Sequence, residues 1–395
     1  MKTVFLWTLS PFLILCTLSA VTLEPRERGP FPVEATNLEI AASHASLEPE
    51  QMDRYLIGAW DESSGAVFWD QILQHPDDAW IVEVTVPEDA SLYESLAGES
   101  LSVVVYLMYP TVQENPRESY AFPHARLGAT FEHMQREGQS PLISEQQAQY
   151  PLVILCHGIF AHSVYDVRHA EFLASQGYIV ASISFGDGRI SAENSMRVRS
   201  FLRPLEARSV LQAILDDPEF GPRVNPDQIG ISGHSFGGFT VYTMMGARND
   251  GEGKTVHDDR IAAGVAASPW TGGIQGDGEY LPFGPEHVEM RHIQKPVLTL
   301  FGSLDPVTQP KYIVGASRNV QGPAHLIELS GEEHNYSPGG WADMQQWELL
   351  FFDAYLKGDP QALQTLEQAE SIRGGSDDRQ HFDYRSQPLE RIVTD

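Results

Sequence analysis

Gly233-His234-Ser235-Phe236-Gly237 matches Gly-x-Ser-x-Gly, a pattern that presents a serine hydroxyl for nucleophilic attack. An apolar run, Ile229-Gly230-Ile231-Ser232, leads in as a buried strand would, and a helix-like stretch from Phe239 to Met245 leads out. At such a strand-to-helix turn the serine backbone is strained and its hydroxyl stands above the sheet edge. Glycines two positions either side let neighbouring backbone pass without a Cβ clash. A nucleophilic serine needs a base, a carboxylate to orient that base, and donors for the oxyanion. Behind this elbow the partners follow in the order serine, acid, histidine, with the acid at the end of a later strand.

Pro296 to Gly302 reads as that strand, and the loop Ser303-Leu304-Asp305 supplies the acid, Asp305. The competing reading of Asp305 is a turn cap before Pro306. Ala324 to Leu329 is the next strand candidate, and His334 in the loop Gly331 to Tyr336 is the expected base. Among 14 histidines it is singled out by order and strand-end position, since His325 falls inside the strand and His287 and His292 precede the acid. The oxyanion donors are expected in the main-chain amides of Phe236, just after the nucleophile, and Ile159, in the loop after the apolar run Pro151 to Cys156. His157, before Gly158, is expected to hold that loop by hydrogen bonds.

Positioning these groups requires strands that end on one edge of a sheet. Short apolar runs such as Ile179 to Ile183 alternate with helical stretches such as Arg197 to Leu215, the pattern of a mostly parallel sheet flanked by helices. With 395 residues and 42% hydrophobic content, the chain can fill a large core. Upstream, 79–87 and 101–110 read as strands, and the Pro-, Glu- and Gln-rich stretch 111–149 reads as a surface excursion. The last helix is expected over Trp341 to Leu356, stopped by Lys357-Gly358.

Tyr150-Pro151-Leu152-Val153 through His157-Gly158, then Phe172 to Val180, then Gly233 to Gly238, are similar to the corresponding segments of platelet-activating-factor acetylhydrolases. The chain resembles an α/β-hydrolase of the dienelactone-hydrolase-like group, which holds those enzymes and the cutinase-like polyester hydrolases. The resemblance spans about residues 100–357 and departs from the acetylhydrolases at Ala266 to Trp270, where they carry the acid and this chain has no carboxylate. The polyester hydrolases place the acid where Asp305 lies and share a Pro-Trp matching Pro269-Trp270, which implies that Trp270 lines the acyl side of the cleft. Tyr280 and Phe283 are further candidates for that wall. On this reading 79–358 is an α/β-hydrolase domain, 21–78 an unassigned N-terminal extension, and 359–395 a polar C-terminal tail with some disorder.

Residues 1–20 read as a secretory signal peptide, with Lys2 before an apolar run and small residues Thr17, Ser19 and Ala20 near a cleavage point; an uncleaved anchor over residues 4–21 is the alternative. The expected location is therefore secreted or periplasmic. Removing this segment leaves Cys156 as the one cysteine, so no intramolecular disulfide is expected. The net charge of −28 disfavours nucleic acid and anionic membranes. Arg189, Arg197, Arg199, Arg203 and Arg208 either bind an anionic substrate group or pair with the abundant carboxylates. No metal-ligand spacing occurs, and the proposed chemistry calls for no cofactor. The expectation is a serine carboxylic-ester hydrolase acting on a small-molecule or polymeric ester. Alternatives are acyl transfer or peptidase chemistry on the same triad, or a non-catalytic binding protein of this fold.

Overall fold

The computed structural model describes the chain apart from residues 1–20, 39–79, 123–129, 137, 160, 162, 186–195, 250–254, 276–277, 376–377 and 394–395. The expected signal peptide and most of the N-terminal extension therefore lie outside the described residues. Among the described residues eleven strands form one sheet. They are β1 (Val33–Ala35), β2 (Trp80–Thr85), β3 (Ser100–Pro110), β4 (His133–Met134), β5 (Tyr150–Cys156), β6 (Ile179–Ser184), β7 (Val224–His234), β8 (Ile261–Ala267), β9 (Val297–Gly302), β10 (Ala324–Leu329) and β11 (Arg379–Gln380). The order is β11-β10-β9-β8-β7-β5-β6-β3-β1-β4, with β2 also paired to β3.

From β6 to β10 all neighbours are parallel, while β3 runs antiparallel to β1, β2 and β6. The apolar runs become strands because both sheet faces are covered, so successive side chains enter different cores. On β5, Leu152, Ile154 and Cys156 join one core, and Val153 and Leu155 the other. Helices α1 (Val167–Ser175) and α5 (Pro338–Tyr355) pack on the second face; α2 (Met196–Asp216) and α3 (Phe236–Met244) pack on the first, and α4 (Pro310–Ser317) connects β9 to β10. Pro204 inside α2 cannot donate to the Ser200 carbonyl one turn back, and the Asn249 side chain donates to it instead at 3.2 Å. The chain leaves β5 for β6 on one side and returns for β7 on the other. The crevice at the C-terminal ends of β5 and β7 is thus a topological switch point, the usual ligand position in open parallel sheets.

Two expectations change. The stretch 111–149 is not all surface excursion: β4 extends the sheet beside β1, and Phe122, Phe131 and Met134 are buried in the core. The C-terminal tail is not all loose: α6 (Pro360–Leu366), β11 and α7 (Leu389–Ile392) follow α5. β11 pairs antiparallel with β10, and Leu366, Tyr384 and Ile392 are buried. These elements are too short for periodicity to mark, and the few apolar residues they bury are spaced among charged ones. Cys156 is buried and free, in keeping with a small hydrophobic role. Among the described residues no helix is long and apolar enough to cross a membrane.

Candidate active site

β7 ends at His234, and Ser235 turns the chain into α3 with φ 58° and ψ −118°. A non-glycine residue held there costs of order 1–3 kcal/mol and persists only where its surroundings fix it. They do: Ser235 N–H donates to Ala267 O at 2.9 Å, and Ser235 O accepts from Trp270 N–H at 3.0 Å and Phe239 N–H at 3.1 Å. The motif glycines are required by close approach, since a Cβ on Gly237 would stand 1.9 Å from Cys156 O and one on Gly233 2.5 Å from the Gly237 carbonyl carbon.

The loops after β9 and β10 bring Asp305 and His334 to this turn. His334 Nε2 lies 2.9 Å from Ser235 Oγ, and Nδ1 lies 2.9 Å from Asp305 Oδ2. Asp305 Oδ1 accepts from the amides of Val307 and Thr308, both at 2.8 Å, and Oδ2 accepts from the Thr308 hydroxyl at 2.6 Å. Burial alone would raise the Asp305 pKa, but these donors, His334 first, hold it below the ordinary carboxylate value. An ionised Asp305 accepting from Nδ1–H leaves Nε2 as the ring acceptor facing the serine. At the end of β8, Ser268 bonds Tyr336 OH through its own hydroxyl at 3.0 Å. Asp277, the first acidic residue downstream of it in sequence, lies outside the described residues.

Ile159, Met196, Phe236, Trp270 and Val307 surround Ser235 in a cleft of about 220 Å³. Phe236 opens α3, so its amide is one of the N-terminal donors that the helix itself cannot satisfy. Gly158 brings the Ile159 loop close: a Cβ there would lie 3.4 Å from Ser235 Cβ. Trp270 is half-buried, with ring centroids 5.7 Å from Phe236 and 5.5 Å from Phe239. Phe283 is not part of the wall; it is fully buried and stacks on Phe239 at 5.2 Å, as a core anchor. The Tyr280 side chain lies outside the described residues.

Three contributors were missed by sequence reading. His234 Nε2–H donates to His334 O at 2.7 Å, and burial first, then nearby His334, lowers its pKa to about 4, so it holds the histidine loop as a neutral ring. Its place inside the elbow was the available signal. Thr308 braces Asp305, and three residues' separation in an Asp-Pro-Val-Thr turn was the cue. Arg203 belongs to no anion patch: it is fully buried behind the Ile159 loop. Arg189 lies outside the described residues. No group of metal-ligating side chains occurs among the described residues.

An elbow serine between a central parallel strand and its helix, with acid and histidine at the ends of later strands, decides the architecture. The chain has the α/β-hydrolase fold. No known family profile matches it. The hydrolase-fold chain is 23% identical over 298 residues to the uncharacterized peptidase YuxL of Bacillus subtilis (strain 168), covering 67% of this chain and 43% of that protein. It therefore spans less than half the length of that relative. A ferulic acid esterase from Streptomyces cinnamoneus is similar in structure, with a TM-score of 0.48 and 20% identity over 71% of this chain and 90% of that one.

Proposed function

We propose that the chain is an exported serine hydrolase of carboxylic esters, with Ser235 as nucleophile, His334 as general base and Asp305 as its orienting carboxylate. The observation that carries this reading is the continuous chain of contacts from Ser235 Oγ through both His334 ring nitrogens to Asp305, each 2.9 Å. Nε2 takes the hydroxyl proton as Oγ attacks the ester carbonyl, and the imidazolium that forms is stabilised by Asp305. The tetrahedral oxyanion is met by the amides of Ile159 and Phe236, each worth on the order of 3 kcal/mol in such sites. His334 then returns the proton to the leaving alkoxide. A water, deprotonated by the same nitrogen, hydrolyses the acyl-enzyme.

The small, largely apolar cleft supports short-acyl esters, acetylated phospholipids or polyester chain ends as substrates, with Trp270 on the acyl side. These are the substrates that the resemblance to the dienelactone-hydrolase-like group of α/β-hydrolases implies. The peptidase named above gives amide hydrolysis a second place, since acyl transfer to a serine serves both bonds. The deciding experiment combines fluorophosphonate labelling with matched acetyl ester and acetyl anilide substrates. Labelling should map to Ser235, vanish in Ser235→Ala, and accompany ester turnover far above anilide turnover. Label on another residue, or full turnover by Ser235→Ala, would end the proposal; anilide turnover equal to ester turnover would favour the peptidase.

A further inference from the structure

Arg203 of α2 has no solvent exposure, and its guanidinium lies between the rings of Phe185 at 4.6 Å and Phe236 at 4.8 Å. Its Nη1 donates to His157 O at 2.5 Å and its Nη2 to Gly158 O at 3.1 Å. The second carbonyl belongs to the same peptide unit as the Ile159 amide. That unit is trans, as are all peptide bonds described, so its C=O and N–H point in opposite directions. A guanidinium fastening the carbonyl from the core side turns the N–H away from the core, toward the cleft that Ile159 lines with Ser235.

The same carbonyl accepts from His157 Nδ1–H at 2.7 Å and from the Ala161 amide at 3.3 Å. The Phe185 amide donates to His157 Nε2 at 3.1 Å, which makes that nitrogen the acceptor and leaves the ring proton on Nδ1. Burial first, and the charge of Arg203 second, keep this imidazole well below its ordinary pKa and therefore neutral. Arg203 thus holds the loop directly and also helps keep neutral the histidine that holds it. A cation against a peptide oxygen further polarises the unit and strengthens the N–H at its other end as a donor.

Given the serine-hydrolase reading, on which this rests, we infer that Arg203 is a positioning residue that sets the direction and strength of the Ile159 oxyanion donor. An arginine that only filled the core would affect stability and leave transition-state binding alone. The inferred role makes Arg203 act on the oxyanion without touching it.

The test uses the full chain with Arg203→Met and Arg203→Lys, the lysine keeping charge and one donor in nearly the same volume. Four quantities are measured on each: melting temperature, kcat and KM for an acetyl ester, the inhibition constant of a trifluoromethyl ketone that forms a tetrahedral adduct, and the carbonyl stretch of the acyl-enzyme by infrared difference spectroscopy. Arg203→Met should lower kcat about 10- to 100-fold, less than the 10²–10³ seen on deleting a donor outright, at little change in KM. The ketone should weaken by the same factor, and the acyl carbonyl band should move to higher frequency as its hydrogen bonds loosen. Arg203→Lys should recover part of each. If Arg203→Met does not fold, the same four readings on Arg203→Lys decide, with smaller shifts in the same directions. Unchanged kcat, ketone affinity and carbonyl band in a folded variant overturn the inference while wild-type turnover keeps the serine-hydrolase reading. A wild-type protein that neither labels nor hydrolyses esters ends both.

Discussion

His334 and Asp305 stand on loops beyond β10 and β9, whereas His169 and Glu348 stand within α1 and α5, and in both pairs a ring nitrogen lies against a carboxylate oxygen, at 2.9 and 2.6 Å. The loop pair meets a cleft and carries the Ser235 hydroxyl on its far ring nitrogen. The helix pair faces the core, where Glu348 is fully buried and Asp166 adds a second carboxyl. One chemical pairing therefore carries no function by itself. The two rings are about equally exposed, 13% and 12%, so what each ring faces decides: the strand-end loop sets its second nitrogen against the Ser235 hydroxyl, and the helix interface sets its ring beside a second carboxyl.

The two pairs also respond oppositely to pH. Asp305 has a folded pKa below its ordinary value, so its stabilisation is present above the ordinary carboxylate range and is lost as pH falls through the lowered value. Burial raises Asp166 to about 6, with His169 opposing and Glu348 reinforcing the rise. Between roughly pH 4 and its folded value the unfolded chain gives up the Asp166 proton and the folded one keeps it, so stability falls as pH rises there. His169 is raised as well: burial alone would lower its pKa, and Glu348 outweighs that. Its contribution is complete below the ordinary histidine value and fades as pH rises through the folded one.

The largest expected effect is at Asp305→Asn. The amide oxygen can replace Oδ1 toward the Val307 and Thr308 amides, which preserves the loop. Its NH₂ then faces His334 Nδ1 and donates to it, forcing the ring proton onto Nε2, where it blocks uptake of the serine proton. Ester kcat/KM should fall roughly 10³–10⁴-fold with little change in melting temperature. Wild-type turnover by this variant would dissolve the contrast between the pairs.

His169→Ala should do the reverse. It leaves the Glu348 carboxylate buried without its partner, and the loss of stability should be about 3–5 kcal/mol by urea titration at neutral pH. Ester kcat should stay at the wild-type value in the folded fraction. A fall in kcat comparable to that of Asp305→Asn would show that the helix pair reaches the cleft after all.

Asp166→Asn sharpens the difference in pH response. At pH 7 to 8 it removes a carboxyl that the fold disfavours when ionised, and should stabilise by roughly 1–3 kcal/mol. At pH 4, where Asp166 is protonated in the fold, the gain should be near zero. A gain that is the same at both pH values would assign it to packing instead.

Local pattern made the loop pair legible and the helix pair invisible. Gly233 to Gly237, the apolar runs that became β5, β7, β9 and β10, and the chain order of Asp305 and His334 are all readable within short windows. His169 and Glu348 lie 179 positions apart by their numbers, and nothing near either announces the other. The same holds for His234 and the His334 carbonyl, 100 positions apart, and for Arg203 and the Gly158 carbonyl, 45 apart. Arg203 misled because charge in a sequence suggests surface, whereas two carbonyls and two aromatic faces accommodate a guanidinium inside. The C-terminal elements were hidden for a different reason: β11 spans two residues and α7 four, too few to show a period.

The smallest expected effect is at Trp270, where cleft and core meet in one side chain. One part of the indole packs near Phe236 and Phe239, and another borders the space above Ser235. Trp270→Ala enlarges that space and removes an apolar face that a bulky acyl group would cover. The variant should therefore lose about 10-fold in kcat/KM for aromatic or long-acyl esters and no more than about threefold for an acetyl ester, a discrimination of at least about 0.7 kcal/mol. Because the side chain is only half-buried, its stability cost should fall below the roughly 3–5 kcal/mol of a fully buried aromatic. Equal losses across acyl lengths, with a stability cost in the fully buried range, would return Trp270 to the core and leave the acyl wall to Met196 and Val307.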